Sequence, residues 1–418
     1  MKTSEPEVEF EDEQTEEEVP ADTPVGAVVQ GTDWTTETLV GQLQRGNIIL
    51  NPRFQRRDAW QRPRKSKFIE SLIVGLPIPQ IVLAESKTER GKFIVIDGKQ
   101  RLLAILQFWG YGEGPNNGFS LASMTLRRDL ARKRLVDLKS EPDFRQDYDV
   151  LCNQPIRTVV IRNWGTSDFL HTVFLRLNTG SVSLSPQELR QALLPGPFSG
   201  YVDATAAASP GIRTLLKISD PDPRMRDVEI LARFLGFWFF SSAYGGRMKN
   251  FLDDTFAKLN ESWDAQRPEV ENAVEQFEQG VQSLTSIFED RVAKKPTSPH
   301  FNRAIFDALI YYQAQEGIRK ACARHKRKIR GEYEQLFDED SEFLVSIESD
   351  TAGLPNTSAR MHIWGDVLER ATRAKVRRPE LKRANARPST AKQMPKSRGA
   401  TGSRSKKRSA KNRVRSER

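Results

Sequence analysis

The chain has 418 residues, 38% of them hydrophobic and 29% charged, with a formal net charge of +10. That length accommodates two or three domains, but the apolar share is low for a chain folded throughout. Two cysteines, Cys152 and Cys322, exclude a disulfide framework, and the most apolar run, 234–240, is far too short to span a bilayer; a reducing, cytoplasmic, non-membrane setting is expected.

Residues 1–30 form an acidic arm expected to be disordered, through Glu5, Glu7, Glu9, Glu11, Asp12, Glu13 and the run 16–18. Such an opening is unlike a signal peptide. Folding is expected to begin near Thr35, a cap-like residue before a short helix. An extended segment follows over 48–60, ending in the cluster Gln55, Arg56, Arg57, Asp58 and Trp60. Ser66 is expected to cap the next helix, with Phe68, Ile69, Leu72 and Ile73 on one face and Gly75 closing it. Leu76-Pro77-Ile78-Pro79 links it to a strand at 81–83, and a turn near Thr88–Gly91 leads to a second strand at 93–96.

That second strand ends in Asp97-Gly98 and passes at once into a helical pattern carrying Leu102, Leu103 and Leu106. Gly98, Lys99, Gln100 and Arg101 therefore stand where a strand hands over to a helix N-terminus. The first helical N–H groups have no intrahelical partner and the dipole there favours negative charge, so the junction suits a phosphate. Asp97 offers the hard oxygen that Mg²⁺ prefers. The plainer alternative is a turn that merely joins two core elements.

Residues 111–148 read as a loop with short helical or strand pieces, and 155–161 as a strand. A helix then carries Phe169, Leu170, Val173, Phe174 and Leu177 to Asn178-Thr179-Gly180. Arg176 with Asn178 is either part of a polar site or a helix C-terminus with a favourable dipole partner. Ser185-Pro186-Gln187-Glu188 predicts a helix start with a capping box. From about 210 the strand signal vanishes, and helices are expected over 226–242, 249–260, 268–293, 300–325, 332–347 and 357–373. The fold class is thus α+β, a small mixed sheet module over 31–200 followed by a mostly helical region over 201–372, unless the helices complete one core. Residues 373–418 form a basic tail without aromatics, expected to be disordered, in which Lys406, Lys407 and Arg408 could bind nucleic acid by counterion release. The alternative is a solvated tail, or one that binds the acidic arm.

Taken together, QRRDAW at 55–60, ESLIVGLPIPQIVL at 70–83, IDGKQRLLAI at 96–105 and FLRLNTGSVSLSPQELRQALL at 174–194 resemble the signature blocks of the GmrSD restriction-endonuclease N-terminal domain family. That family belongs to the ParB/sulfiredoxin-like superfamily. RDVEILARFLGFW at 226–238 also resembles a block seen in these proteins. The resemblance implies a small mixed sheet whose Asp-Gly turn binds or turns over a nucleoside triphosphate in DNA-targeting defence. Carried over residue by residue, it points to Asp97, Gly98, Gln100 and Arg101, with Gln55 and Arg56 from the first block and Arg176 and Asn178 from the third. The usual loop of the family reads Asp-Gly-Gln-Gln-Arg, whereas this chain has Lys99 in the third position, which adds a charge and removes an amide acceptor.

The function expected is that of a nucleotide-binding, NTP-hydrolysing, DNA-directed protein of a restriction or phage-defence system. Lys99 and Arg101 would neutralise phosphate, and Asp97 or Glu188 would position Mg²⁺ or water. The alternative is a non-enzymatic ParB-like adaptor that binds DNA or nucleotide and recruits a separate nuclease. His171, His300, His325 and His362 form no convincing metal-and-base constellation, so direct nuclease activity is the weaker option. Asn302 and its neighbours are expected to cap a helix instead. The sequence holds no Walker loop and no HExxH helix.

Overall fold

Two short strands covered on both faces decide the architecture. In β3 (Ile81–Glu85) and β4 (Phe93–Asp97) every residue but the last is buried, as in strands covered on both faces. With β1 (Val28–Thr35), β2 (Ile48–Ile49) and β5 (Pro155–Arg162) they form a mixed five-stranded sheet in the order β1-β5-β3-β4-β2. β5 runs parallel to β3 and antiparallel to β1, and β4 runs antiparallel to β3 and parallel to β2. The computed structural model describes Phe10 and residues 26–50, 58–112, 116–166, 169–170, 172–173, 185–338 and 341–381.

Successive residues serve opposite faces of this sheet. Ile81, Leu83, Phe93, Val95, Ile156 and Val160 pack with α1 (Thr36–Gln44), α2 (Arg62–Val74) and α3 (Lys99–Phe108). Val82, Ala84, Ile94, Ile96 and Ile161 pack on the other face with Trp164, Leu170 and Leu189. Two short helices, α4 (Leu135–Ser140) and α5 (Arg145–Asn153), lead into β5. A register shift between Val82 and Leu83 leaves one extra residue on β4 just before Asp97. Such a bulge re-aims the end of its strand.

Leu189 belongs to α6 (Pro186–Leu193), and Ala192 of the same helix packs against both the sheet and the helical core beyond it. That core is built from α7 (Pro197–Ala208), α8 (Pro210–Leu216), α9 (Arg226–Phe240), α10 (Met248–Glu261) and α11 (Trp263–Phe288). It continues through α12 (Arg303–Gln313), α13 (Glu316–Ala323), α14 (Lys326–Glu334), α15 (Glu342–Glu348) and α16 (Leu354–Thr372). Within it, the buried Arg233 and Asp307 pair at 2.7 Å and tie α9 to α12.

Several expectations need correction. β1 begins at Val28, inside the stretch read as an arm, and its pairing with β5 was not legible because most of its residues are exposed. Ser66 does not cap α2. Gln61 is the N-cap and Pro63 sits in the first turn, while Ser66 is buried and its hydroxyl accepts the Ala122 N–H. The helix expected over 300–325 is two, because the chain turns at Ala314 and Gln315. There Gly280 of α11 lets the backbones approach so closely that an added Cβ would lie 3.1 Å from Ala314 N. The basic tail is anchored at its start: Val376 and Leu381 are buried, Arg377 lies 4.1 Å over the Trp238 ring, and Arg378 pairs with Asp366 and Glu369. No described helix is long and apolar enough to cross a membrane.

Candidate functional site

The handover after β4 takes place at one residue. Gly98 caps α3 with φ 97° and ψ 10°, a left-handed conformation that lets the strand turn into the helix without a connecting loop. A Cβ there would meet Ile81 Cγ1 at 3.0 Å and the Arg101 guanidinium at 3.3 Å. Gly98, Lys99, Gln100 and Arg101 are all buried, and each of the three side chains is held by a different part of the chain.

Arg101 folds back on the turn. Its Nη2 donates to Asp97 Oδ2 at 2.7 Å and to the Gln80 carbonyl at 2.9 Å, so one guanidinium joins the end of β4 to the entry of β3. Lys99 reaches the opposite way. Its Nζ donates to Glu188 Oε1 at 2.5 Å, both side chains being less than 5% exposed. The second oxygen of Glu188 accepts the Ser185 N–H at 2.7 Å, while the Ser185 hydroxyl accepts the Glu188 N–H at 3.1 Å. The predicted capping box is therefore present, and both oxygens of its carboxylate are engaged. Desolvating two such charges costs several kcal/mol each, which only a close pair of this kind offsets.

Gln100 contacts the first sequence block. Its Oε1 accepts the Trp60 N–H at 3.2 Å, a proton shared with Asp58 Oδ1 at 3.2 Å. Asp58 also pairs with Lys65, which is wholly buried, and accepts Gln107 Nε2 at 3.0 Å; Lys65 in turn donates to Gln107 Oε1 at 2.6 Å. Burial lowers the Lys65 pKa, and the hydrogen bond and charge of Asp58 only partly restore it. The Trp60 ring packs edge-on against Phe68 with Arg64 4.7 Å above it. Two buried donors on these residues, Trp60 Nε1 and Arg101 Nε, have no hydrogen-bond partner among the described residues.

Of the predicted site residues, Asp97, Gly98, Lys99, Gln100, Arg101 and Glu188 are thus brought together at one turn. Gln55, Arg56, Arg176 and Asn178 lie outside the described residues, as do Lys406, Lys407 and Arg408. Asp58, Lys65 and Gln107 were missed. The available signal was Gln107, a polar residue on the apolar face of α3, and Asp58 inside the first block. Asn302 caps α12 as expected, its side chain accepting the Ile305 N–H at 2.9 Å. Among the described residues no three His, Cys, Asp or Glu side chains cluster as a metal site. Mg²⁺ carried by phosphates needs only one or two protein carboxylates, and Asp97, with 14% of its side chain exposed, fits that smaller demand.

Comparison with known proteins bears on the same residues. No curated protein sequence matches the chain. A family model does match, over residues 36–195, and its description is GmrSD restriction endonuclease, N-terminal domain. The matched segment runs from α1 through the DGKQR turn to the end of α6. It includes both partners of the Lys99–Glu188 pair and most of the sheet. Residues 36–195 are thus similar to the GmrSD restriction-endonuclease N-terminal domain, a family of the ParB/sulfiredoxin-like superfamily.

Proposed function

We propose that this domain is the nucleotide-binding module of a DNA-directed protein in a restriction or phage-defence system, with Gly98–Arg101 receiving the phosphates of a nucleoside triphosphate. The observation that carries the reading is that two buried donors, Trp60 Nε1 and Arg101 Nε, have no partner among the described residues. Leaving a buried donor unmade costs about 1–3 kcal/mol, and a ligand acceptor would recover it. Arg101 Nε lies in the first turn of α3, which also carries Lys99 and where an anion is favoured by the dipole and by charge, and the Trp60 backbone is tied to the same turn through Gln100. Asp97 and Glu188 now neutralise those cations, so phosphate entry is an exchange of one anion for another.

In this reading Arg101 orients and neutralises phosphate, Lys99 leaves Glu188 for it, and Gln100 fixes the position of the first block. Asp97, released from Arg101, would be the residue to hold Mg²⁺, which would supply neutralisation of phosphate charge. Turnover further requires a carboxylate to orient water, Asp97 or Glu188. A second reading, the non-enzymatic adaptor that binds nucleotide as a switch and recruits a separate nuclease, is favoured by one feature. Both Glu188 oxygens are committed to Lys99 and Ser185, which suits holding a state better than activating water.

Equilibrium binding and hydrolysis of ATP, GTP, CTP and UTP with Mg²⁺, with and without DNA, test the proposal on wild type, Arg101→Ala and Asp97→Ala. Binding of at least one nucleotide that Arg101→Ala abolishes is expected. Turnover lost in Asp97→Ala supports the enzyme, and binding without turnover the adaptor. Failure to bind any of the four overturns the nucleotide-binding role.

A further inference from the structure

Phe10 stands within the acidic arm, between Glu9 and Glu11, yet it is seated on the helical core. Its backbone forms a parallel bridge with Phe301, and the two rings meet edge to face with centroids 5.2 Å apart. Two guanidinium groups close over the same ring, Arg226 at 4.9 Å and Arg303 at 4.6 Å. The walls of this socket are fixed. Arg226 opens α9 and is paired with Asp222; Arg303 opens α12 and lies 3.5 Å from Glu229. Phe301 is wholly buried, packed on Phe306 at 5.3 Å, and precedes the Asn302 cap.

An aromatic ring held between guanidinium groups and an aromatic edge, flanked in sequence by Glu9 and Glu11, reproduces the chemistry of a nucleobase with flanking phosphates. The chain as a whole is strongly basic, and the arm is its acidic exception. We infer that the Arg226–Phe301–Arg303 socket is a single-stranded nucleic-acid site that Phe10 occupies in cis, standing in for a base. The inference rests on the DNA-directed reading of the protein.

The position of the socket gives that occupancy a consequence. Asp222 holds Arg226 and also accepts the Arg224 N–H at 2.8 Å, and the Arg224 carbonyl accepts the Ser185 hydroxyl at 2.7 Å. Ser185 caps the helix that carries Glu188, the partner of Lys99. A chain of hydrogen bonds through Ser185 therefore links the socket to the DGKQR turn.

The test uses full-length chains and a fluorescent single-stranded oligonucleotide followed by anisotropy. Compared with wild type, Phe10→Ala and the charge-only variant Glu9→Gln/Glu11→Gln should each bind more tightly, by about tenfold for the former. Adding Arg303→Ala should erase the gain, and a synthetic peptide of residues 1–25 should displace the oligonucleotide from Phe10→Ala. The charge-only variant keeps the ring in place, so it guards against a folding defect in Phe10→Ala. Equal affinity in all variants overturns the inference. If duplex DNA binds every variant equally and the peptide displaces nothing, the socket is not the nucleic-acid site while the DNA-directed reading stands. If no variant binds any nucleic acid, both fall.

Discussion

Glu188 does two jobs whose costs are separable. It closes the capping box of α6 and it neutralises a lysine that water cannot reach. Glu188→Gln keeps most of the cap but leaves Lys99 buried beside a neutral group, which should destabilise the fold by about 3–5 kcal/mol in urea titrations. If phosphate competes with Glu188 for Lys99, the same variant should bind nucleotide more tightly, by up to about tenfold. Weaker binding would instead mean that Glu188 itself touches the ligand or its metal. Gly98 makes a simpler case. Gly98→Ala forces a Cβ into a left-handed residue already crowded by Ile81, and should cost about 1–2 kcal/mol from the conformation alone. An unchanged melting temperature would show that the turn is not held as described. The residue types of the site were legible in the sequence: a strand ending in Asp-Gly before a helix leaves few other places for Lys99 and Arg101. The pairing of Lys99 with Glu188 was not, since the two are 89 residues apart and nothing local announces the contact, whereas Asp97 stands only four residues from Arg101.

Elements divide along the same line. The capping box at Ser185, the Thr35 cap that accepts the Thr38 N–H, and the left-handed Gly75 after α2 were all readable, because each is settled within four residues. β1 was not, because Gly31 and Asp33 weaken its strand character and only its pairing with β5 makes it one. Glu70 shows how a local reading fails. It sits on α2 and accepts the N–H groups of Thr125, Leu126 and Arg127 and the Thr125 hydroxyl, pinning a distant loop. Burial pushes its carboxyl up, but those hydrogen bonds outweigh it and hold the pKa below the usual carboxylate value. A depressed carboxyl stabilises the fold above the unfolded pKa of about 4.3 and loses that contribution as pH falls through the folded one. Glu70→Gln should therefore be less stable than wild type at pH 7, with the gap closing toward pH 3; a gap independent of pH would contradict this. Gly280→Ala tests packing against propensity. Alanine favours a helix by about 1 kcal/mol, but the close approach at Ala314 should make the change destabilising by about 1–3 kcal/mol.

At the scale of the molecule, charge and apolar content are arranged in sequence order. An acidic arm comes first, then a sheet buried on both faces, then a helical core, then a basic tail. The change to an all-helical region was visible in the loss of strand signal from about residue 210. That α6 would serve both cores was not, since nothing in the sequence marks Ala192 as packing against both. The tail carries its own prediction. Removing residues 384–418, including Lys406, Lys407 and Arg408, should lower DNA affinity and flatten its dependence on salt. Each duplex phosphate that the tail no longer neutralises takes about 0.9 off the slope. An unchanged affinity and slope would take the tail out of DNA binding.

A DGKQR turn that receives a phosphate should become more rigid when it does so. Hydrogen exchange of the full-length protein, with and without each nucleoside triphosphate and Mg²⁺, reads this out at the residues concerned. Added protection is predicted in peptides covering 97–101 and 58–65 for at least one nucleotide, and its loss in Arg101→Ala. Saturating nucleotide that leaves both segments unchanged, or protects only other parts of the chain, would contradict phosphate binding at the turn.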